Sequence, residues 1–179
     1  DKIILKKAVF ELAKIYENYF ISKEYQLPII NHIVTNQLLN SQFVKTDENN
    51  SLFLTKAITI YDSLRIFSRD DEATYYLAEI KYRILGDLDG ADELYKQVIK
   101  KNNSKYYQES MARIIDILIS KGDLNKAIAT INLYADKNDN EIEYLLKIKK
   151  IHVLFYLNKY DELKIYADEL LKENKKDDK

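Results

Sequence analysis

Residues 85–96 read LGDLDGADELYK, with four acids and two glycines in twelve positions. Acids at alternate positions around a glycine can form a calcium loop. A glycine followed by Asp, Ala and an aromatic can instead close one helix and open the next. The chain itself offers a test, because the stretch recurs. KGDLNKAIATINLYA at 121–135 and LNKYDELKIYADELL at 157–171 share its register. Gly86, Gly122 and Asn158 fall 36 residues apart, as do Leu88, Leu124 and Tyr160. The same spacing joins Ala91, Ala127 and Leu163, and then Val98, Tyr134 and Leu170. No acidic position is kept in all three copies, while the turn and the small or apolar positions stay. The repeat therefore needs the turn and not the charges.

Gly86, Gly122 and Asn158 suit the left-handed residue just past a helix end, where glycine is unstrained and asparagine is the usual second choice. Asp87 or Asp89 can cap the following helix and sit at its positive end. A calcium loop wants glycine at its sixth position and glutamate at its twelfth. Counting from Asp87, Gly90 is fourth and Val98 twelfth. No metal and no cofactor is expected.

Working outward, FLTKAITIYDSLRIF at 53–67 is a looser copy. Its Ala57 and Tyr61 lie 34 residues before Ala91 and Tyr95. Helices are predicted at 71–85, 88–101, 104–121, 124–137, 141–157 and 160–173, each amphipathic. LPIINHIVTNQLLN at 27–40 reads as a helix with Pro28 in its first turn. Near the start, Ile4, Ala8, Leu12, Ile15 and Tyr16 share one helical face. Three glycines and one proline in 179 residues are too few for a β-sandwich or for Gly-rich α/β loops. A fixed period with one helix pair per unit is the mark of a helical solenoid. The predicted fold is all-α: a right-handed solenoid of helical hairpins, with three to four repeats of about 36 residues. It divides into an N-terminal helical extension (1–49), the repeat array (50–174) and a charged tail (175–179).

Composition excludes several functions. The 28 basic and 29 acidic side chains nearly cancel, so the footprint of a nucleic-acid binder is missing. Without cysteine there is no disulfide, thiolate site or thiol nucleophile. No apolar run approaches the ~20 residues of a membrane span. His32 and His152 sit among apolar residues with no carboxylate or second histidine at ligand spacing. No nucleophile elbow, P-loop or dinucleotide fingerprint is present. An enzyme is not expected.

The repeating units resemble tetratricopeptide repeats. YYLAEIKYRILGDLDGADELYKQVI carries Leu77-Ala78, Gly86-Asp87, Ala91, Tyr95 and Val98 at that family's positions, with one extra residue before the glycine. MARIIDILISKGDLNKAIATI carries Ile114, Leu118, Gly122-Asp123, Ala127 and Ile131. The last unit has Leu163 in place of Ala, and the family's proline after the second helix is absent. The 36-residue period and NNSKYYQESMARIIDIL at 102–118 look more like the repeats of bacterial cell-envelope proteins. The compartment is left between periplasm or cell envelope and cytoplasm. The resemblance implies a non-catalytic scaffold that holds a partner peptide or helix in a concave groove lined by the first helix of each hairpin. Mapped onto this chain, the groove positions are Tyr75, Glu79, Tyr82 and Arg83, then Arg113, Asp116 and Ser120, then Lys149, His152 and Tyr156. A peptide-sensing regulatory domain and an accessory domain of a larger enzyme are the alternatives.

Overall fold

The computed structural model describes the backbone at residues 2–25, 48–101, 103–135 and 140–177. Those residues form eight helices and no strand: α1 (Lys2–Tyr25), α2 (Glu48–Ser68), α3 (Asp71–Ile80, continued by a π-helical turn at Lys81–Leu85), α4 (Leu88–Ile99), α5 (Tyr107–Ser120), α6 (Leu124–Ala135), α7 (Asn140–Tyr156) and α8 (Tyr160–Asp177). The helix expected at 27–40, with Pro28 and His32, lies outside the described residues. So do the last two residues of the charged tail, which α8 enters as far as Asp177.

The three repeated turns are built as their residues require. Gly86, Gly122 and Asn158 have φ of 66°, 75° and 58°, all left-handed. At the second turn the Gly122 amide donates to the Ile119 carbonyl and the Asp123 amide to Leu118, both at 2.9 Å. At the third, Asn158 donates to Phe155 and Lys159 to Leu154, both at 3.0 Å. This is the Schellman pattern, which satisfies carbonyls that a helix end leaves open. The starts are closed as well. Asp70 caps α3 by accepting from the Ala73 amide at 2.8 Å, and Asp87 caps α4 by accepting from Gly90 at 2.9 Å.

The first turn differs by one residue. The amides of Gly86 and Asp87 both reach the Lys81 carbonyl, six residues back from Asp87 where the other two turns reach five. Lys81–Leu85 is wound as a π turn. The extra residue noted before Gly86 is therefore absorbed as a local bulge, and the helix before it keeps its register.

The chain divides into two compact units, Asp1–Ser110 and Met111–Lys179. In the first unit α1 packs along α2, α2 on α3 and α3 on α4. Ring contacts pair Phe10 with Tyr61 and Tyr19 with Phe53, so α1 and α2 run antiparallel. Leu54, Ala57, Tyr61 and Leu64 line one face of α2, and Ala91, Leu94, Tyr95 and Val98 one face of α4; all are buried. In the second unit α6 packs on α7 and α7 on α8. Its core holds Met111, Ile114, Ile115, Ile117, Ala127, Ile131, Leu146, Val153 and Leu154. Ala57, Ala91 and Ala127, aligned by the repeat, are all fully buried.

One expectation is corrected. Of the predicted α1 face, Ile4, Leu12 and Ile15 are exposed, and the buried side chains are Phe10, Ala13, Glu17, Phe20 and Ile21. The aromatic pair hides more area than isoleucines can, and Ala13 admits the neighbouring backbone closely.

Candidate interaction surfaces

The ten groove positions divide between the units: Tyr75, Glu79, Tyr82 and Arg83 in the first, the other six in the second. Tyr75 and Tyr82 are half-buried. Tyr75 stacks on Tyr106 with ring centroids 4.3 Å apart, and Tyr82 meets Tyr95 edge-on at 6.5 Å. Glu79 and Arg83 are not groove surface. The Glu79 side chain is 2% exposed and that of Arg83 is 7%. Arg83 Nε lies 2.5 Å from Glu79 Oε2, and the Tyr95 hydroxyl donates to Glu79 Oε1 at 2.5 Å. The pair lies one helical turn apart, at the junction where α3 enters its π turn.

In the second unit three predicted residues do come together. Asp116 on α5 is ion-paired with Lys149 on α7, and Arg113 Nη1 lies 3.5 Å from its other oxygen. Ser120, His152 and Tyr156 are exposed. Phe155 joins Tyr156 and Tyr160 in an edge-to-face cluster with centroids 5.8 and 6.0 Å apart.

The first unit also carries a seam of aromatic rings. Phe10, Tyr61, Tyr76, Tyr106, Tyr75, Tyr95 and Tyr82 touch in succession. Three of the hydroxyls end on carboxylates: Tyr61 on Glu17 at 2.9 Å, Tyr95 on Glu79 and Tyr106 on Glu72 at 2.6 Å. Burial, and then the nearby Glu17 carboxylate, push the Tyr61 phenol far above its ordinary value. Burial and Glu79 do the same to Tyr95, and burial and the Glu72 hydrogen bond to Tyr106. A buried phenol needs an acceptor. The tyrosine at the aromatic position of α4 was thus a legible signal for a carboxylate on α3, which the sequence reading did not use.

A cleft of about 410 Å3 opens at the corner between α2 and α3, lined by Lys6, Arg69–Glu72, Lys101 and Asn103–Tyr106. Lys6 is ion-paired with Asp70 and Lys101 with Asp71, while Lys105 Nζ lies 2.9 Å from Glu72. Its components are scattered through the sequence, in α1, in the link before α3 and in the link after α4.

The stretch that opened the question has a structural role. Asp87 caps α4 and pairs with Lys81 at 2.5 Å. The Lys81 hydrogen bond, followed by the Gly90 amide, holds its carboxyl below the usual value. Among the described residues no group of three or more His, Asp or Glu side chains is placed to hold a metal ion. No helix among them is long and apolar enough to cross a membrane. The chain matches no protein-family model, no curated protein and no solved structure.

Proposed function

We propose that this chain is a non-catalytic protein-interaction scaffold: a right-handed, tetratricopeptide-like solenoid that holds a partner peptide or helix against the first helix of each hairpin. One observation carries the reading. Three helix ends 36 residues apart each close on a left-handed residue, and the alanines that follow two of them, Ala91 and Ala127, are fully buried. A left-handed helix end and a buried alanine repeated at fixed spacing favour a stacked array, and stacking leaves long surfaces suited to extended partners. The partner-facing set proposed is Tyr75 and Tyr82 in the first unit and Arg113, Asp116, Ser120, Lys149, His152 and Tyr156 in the second. Glu79 and Arg83 act instead inside the hairpin.

The test is capture of the native partner by Tyr82→Ala combined with Tyr156→Ala. Interface energy concentrates in a few aromatic and Arg residues. Affinity is expected to fall at least tenfold with little change in the melting curve. Full capture by this variant, with loss when the exposed face of α4 or α6 is altered, would place the partner on the opposite surface. Arg83 is left intact in this test, because its removal would unbalance the buried Glu79.

A further inference from the structure

We propose that the cleft at the α2–α3 corner binds an acidic side chain of the partner segment, with the Arg69 guanidinium as the primary contact. The inference rests on the scaffold reading and gives the partner a chemistry.

The cleft is layered by charge. Its carboxylates lie low: the side chains of Asp70, Asp71 and Glu72 are 13, 27 and 29% exposed. Its lysines stand at the rim, with Lys6, Lys101 and Lys105 at 41, 44 and 66%. The acids are already engaged. Asp70 caps α3, Glu72 accepts from the Tyr106 hydroxyl, and each of the three holds a lysine. An approaching segment therefore meets ammonium groups and Arg69 before it meets carboxylate, which favours an anion. The α3 amides are not the attraction, because Asp70 occupies that end.

Arg69 is the exception among these groups. It is exposed, and its guanidinium has no ion pair among the described residues. Its backbone is left-handed, with φ of 46°, where the three repeated turns use Gly, Gly and Asn. An arginine there carries a strain that glycine would not. Its carbonyl accepts from Lys101 Nζ at 2.7 Å, which fixes the corner against the opposite wall. A planar fork of donors on an exposed residue that lines the cleft matches the two oxygens of a carboxylate. Tyr106, stacked with Tyr75, adjoins the rim and extends the site toward the tyrosines of the proposed partner surface.

The experiment is a titration of the whole chain with acetyl-Gly-Glu-Leu-Glu-Gly-amide, followed through backbone amide shifts, with the Gln-for-Glu peptide as its pair. The Glu peptide is expected to move the amides of 69–72 and 103–106, and the Gln peptide to leave them in place. Arg69→Gln should weaken the Glu peptide at least tenfold. Arg69→Gly provides the sharper outcome: it should raise the melting midpoint by about 2 °C, through relief of the left-handed strain, while weakening the peptide equally. Equal binding of the two peptides, shifts elsewhere in the chain, or an Arg69→Gly variant that binds unchanged would each overturn the proposal. So would acetate giving the same shifts at the same affinity, which marks an adventitious ion only. Overturning it leaves the scaffold reading to the Tyr82 and Tyr156 variants, which lie outside the cleft.

Discussion

In the N-terminal unit, paired helices meet through tyrosine hydroxyls set on buried carboxylates: Tyr61 on Glu17 and Tyr95 on Glu79. Thirty-six residues after Tyr95 the C-terminal unit has Ile131, which is buried, as are Ile114, Ile115 and Ile117. Counted through the extra residue of the π turn, Glu79 falls at the position of Asp116. The acid at this position serves differently in the two places. Glu79 is sealed under Tyr95 and against Arg83, whereas Asp116 is 19% exposed and reaches Lys149 on α7. The position that carries a directional polar pair in the first unit thus holds a buried apolar side chain in the second. The polar version makes each group depend on its partner, because a buried charge stripped of its counterpart is costly.

The largest expected effect breaks that dependence. Arg83→Ala leaves Glu79 buried without its cation and should lower stability by about 3–5 kcal/mol. Lys149→Ala, at the aligned but more open Asp116, should lower it by roughly 1 kcal/mol or less. Urea unfolding of the two variants checks the contrast, and equal losses would mean that Glu79 is not sealed. For the same reason Arg83→Ala is unsuitable as a probe of partner binding, although its register alone made it one.

Alkaline pH should weaken the first unit next. Tyr61 and Tyr95 keep their protons in the folded chain beyond the ordinary phenol range. A group whose folded pKa is raised contributes stability that is complete below the unfolded value and is lost as pH climbs toward the folded one. Between about pH 10 and 11 each tyrosine should remove on the order of 1 kcal/mol. Unfolding across this range should show it, and Tyr61→Phe with Tyr95→Phe should flatten the slope. An unchanged slope would show that these phenols are open to solvent.

Overpacking should treat the two units alike. Ala91 and Ala127 are both fully buried, so Ala91→Phe and Ala127→Phe should each cost about 1–3 kcal/mol. A melting midpoint that stays in place for one of them would remove that alanine from the helix contact and break the 36-residue alignment.

What could be read from the sequence follows the range of the interactions. The helices after residue 70 were legible because their caps, glycines and apolar periods are local. The expected span of α4, 88–101, differs from the observed Leu88–Ile99 by two residues at one end. The burial of Glu79 and Arg83 was not legible, because an inserted residue can be taken up by a bulge, by a tighter turn or by rotating the whole helix. Only packing against α4 selects among these. The occupied face of α1 was ambiguous because apolar residues lie on more than one side of it. The cleft was hidden because its ion pairs join residues up to 33 apart along α3 and the following links, and Lys6 to Asp70.

The smallest effects test the two turns of the C-terminal unit, which share one hydrogen-bond pattern. Gly122 and Asn158 make the same pair of backbone hydrogen bonds with φ of 75° and 58°. A Cβ at Gly122 meets no atom within 4 Å, so Gly122→Ala carries the cost of a left-handed backbone, less what a stiffer unfolded chain returns. That cost is about 1–2 kcal/mol. Asn158→Gly runs the comparison in reverse and has three parts. It relieves a smaller strain, because asparagine tolerates this conformation better than alanine. It loosens the unfolded chain, which offsets roughly 0.4–1 kcal/mol. It also removes the exposed hydrogen bond from the Tyr160 hydroxyl to Asn158 Oδ1 at 2.8 Å. An intramolecular hydrogen bond contributes about 0.5–1.5 kcal/mol net, and an exposed one stands at the low end. The three nearly cancel, so Asn158→Gly should move stability by only a few tenths of a kcal/mol, against about 1 kcal/mol for Gly122→Ala. Thermal unfolding of both variants reads the difference. A Gly122→Ala variant as stable as the parent would show that this turn is not held left-handed, and the shared geometry of the repeat would fail at its second copy.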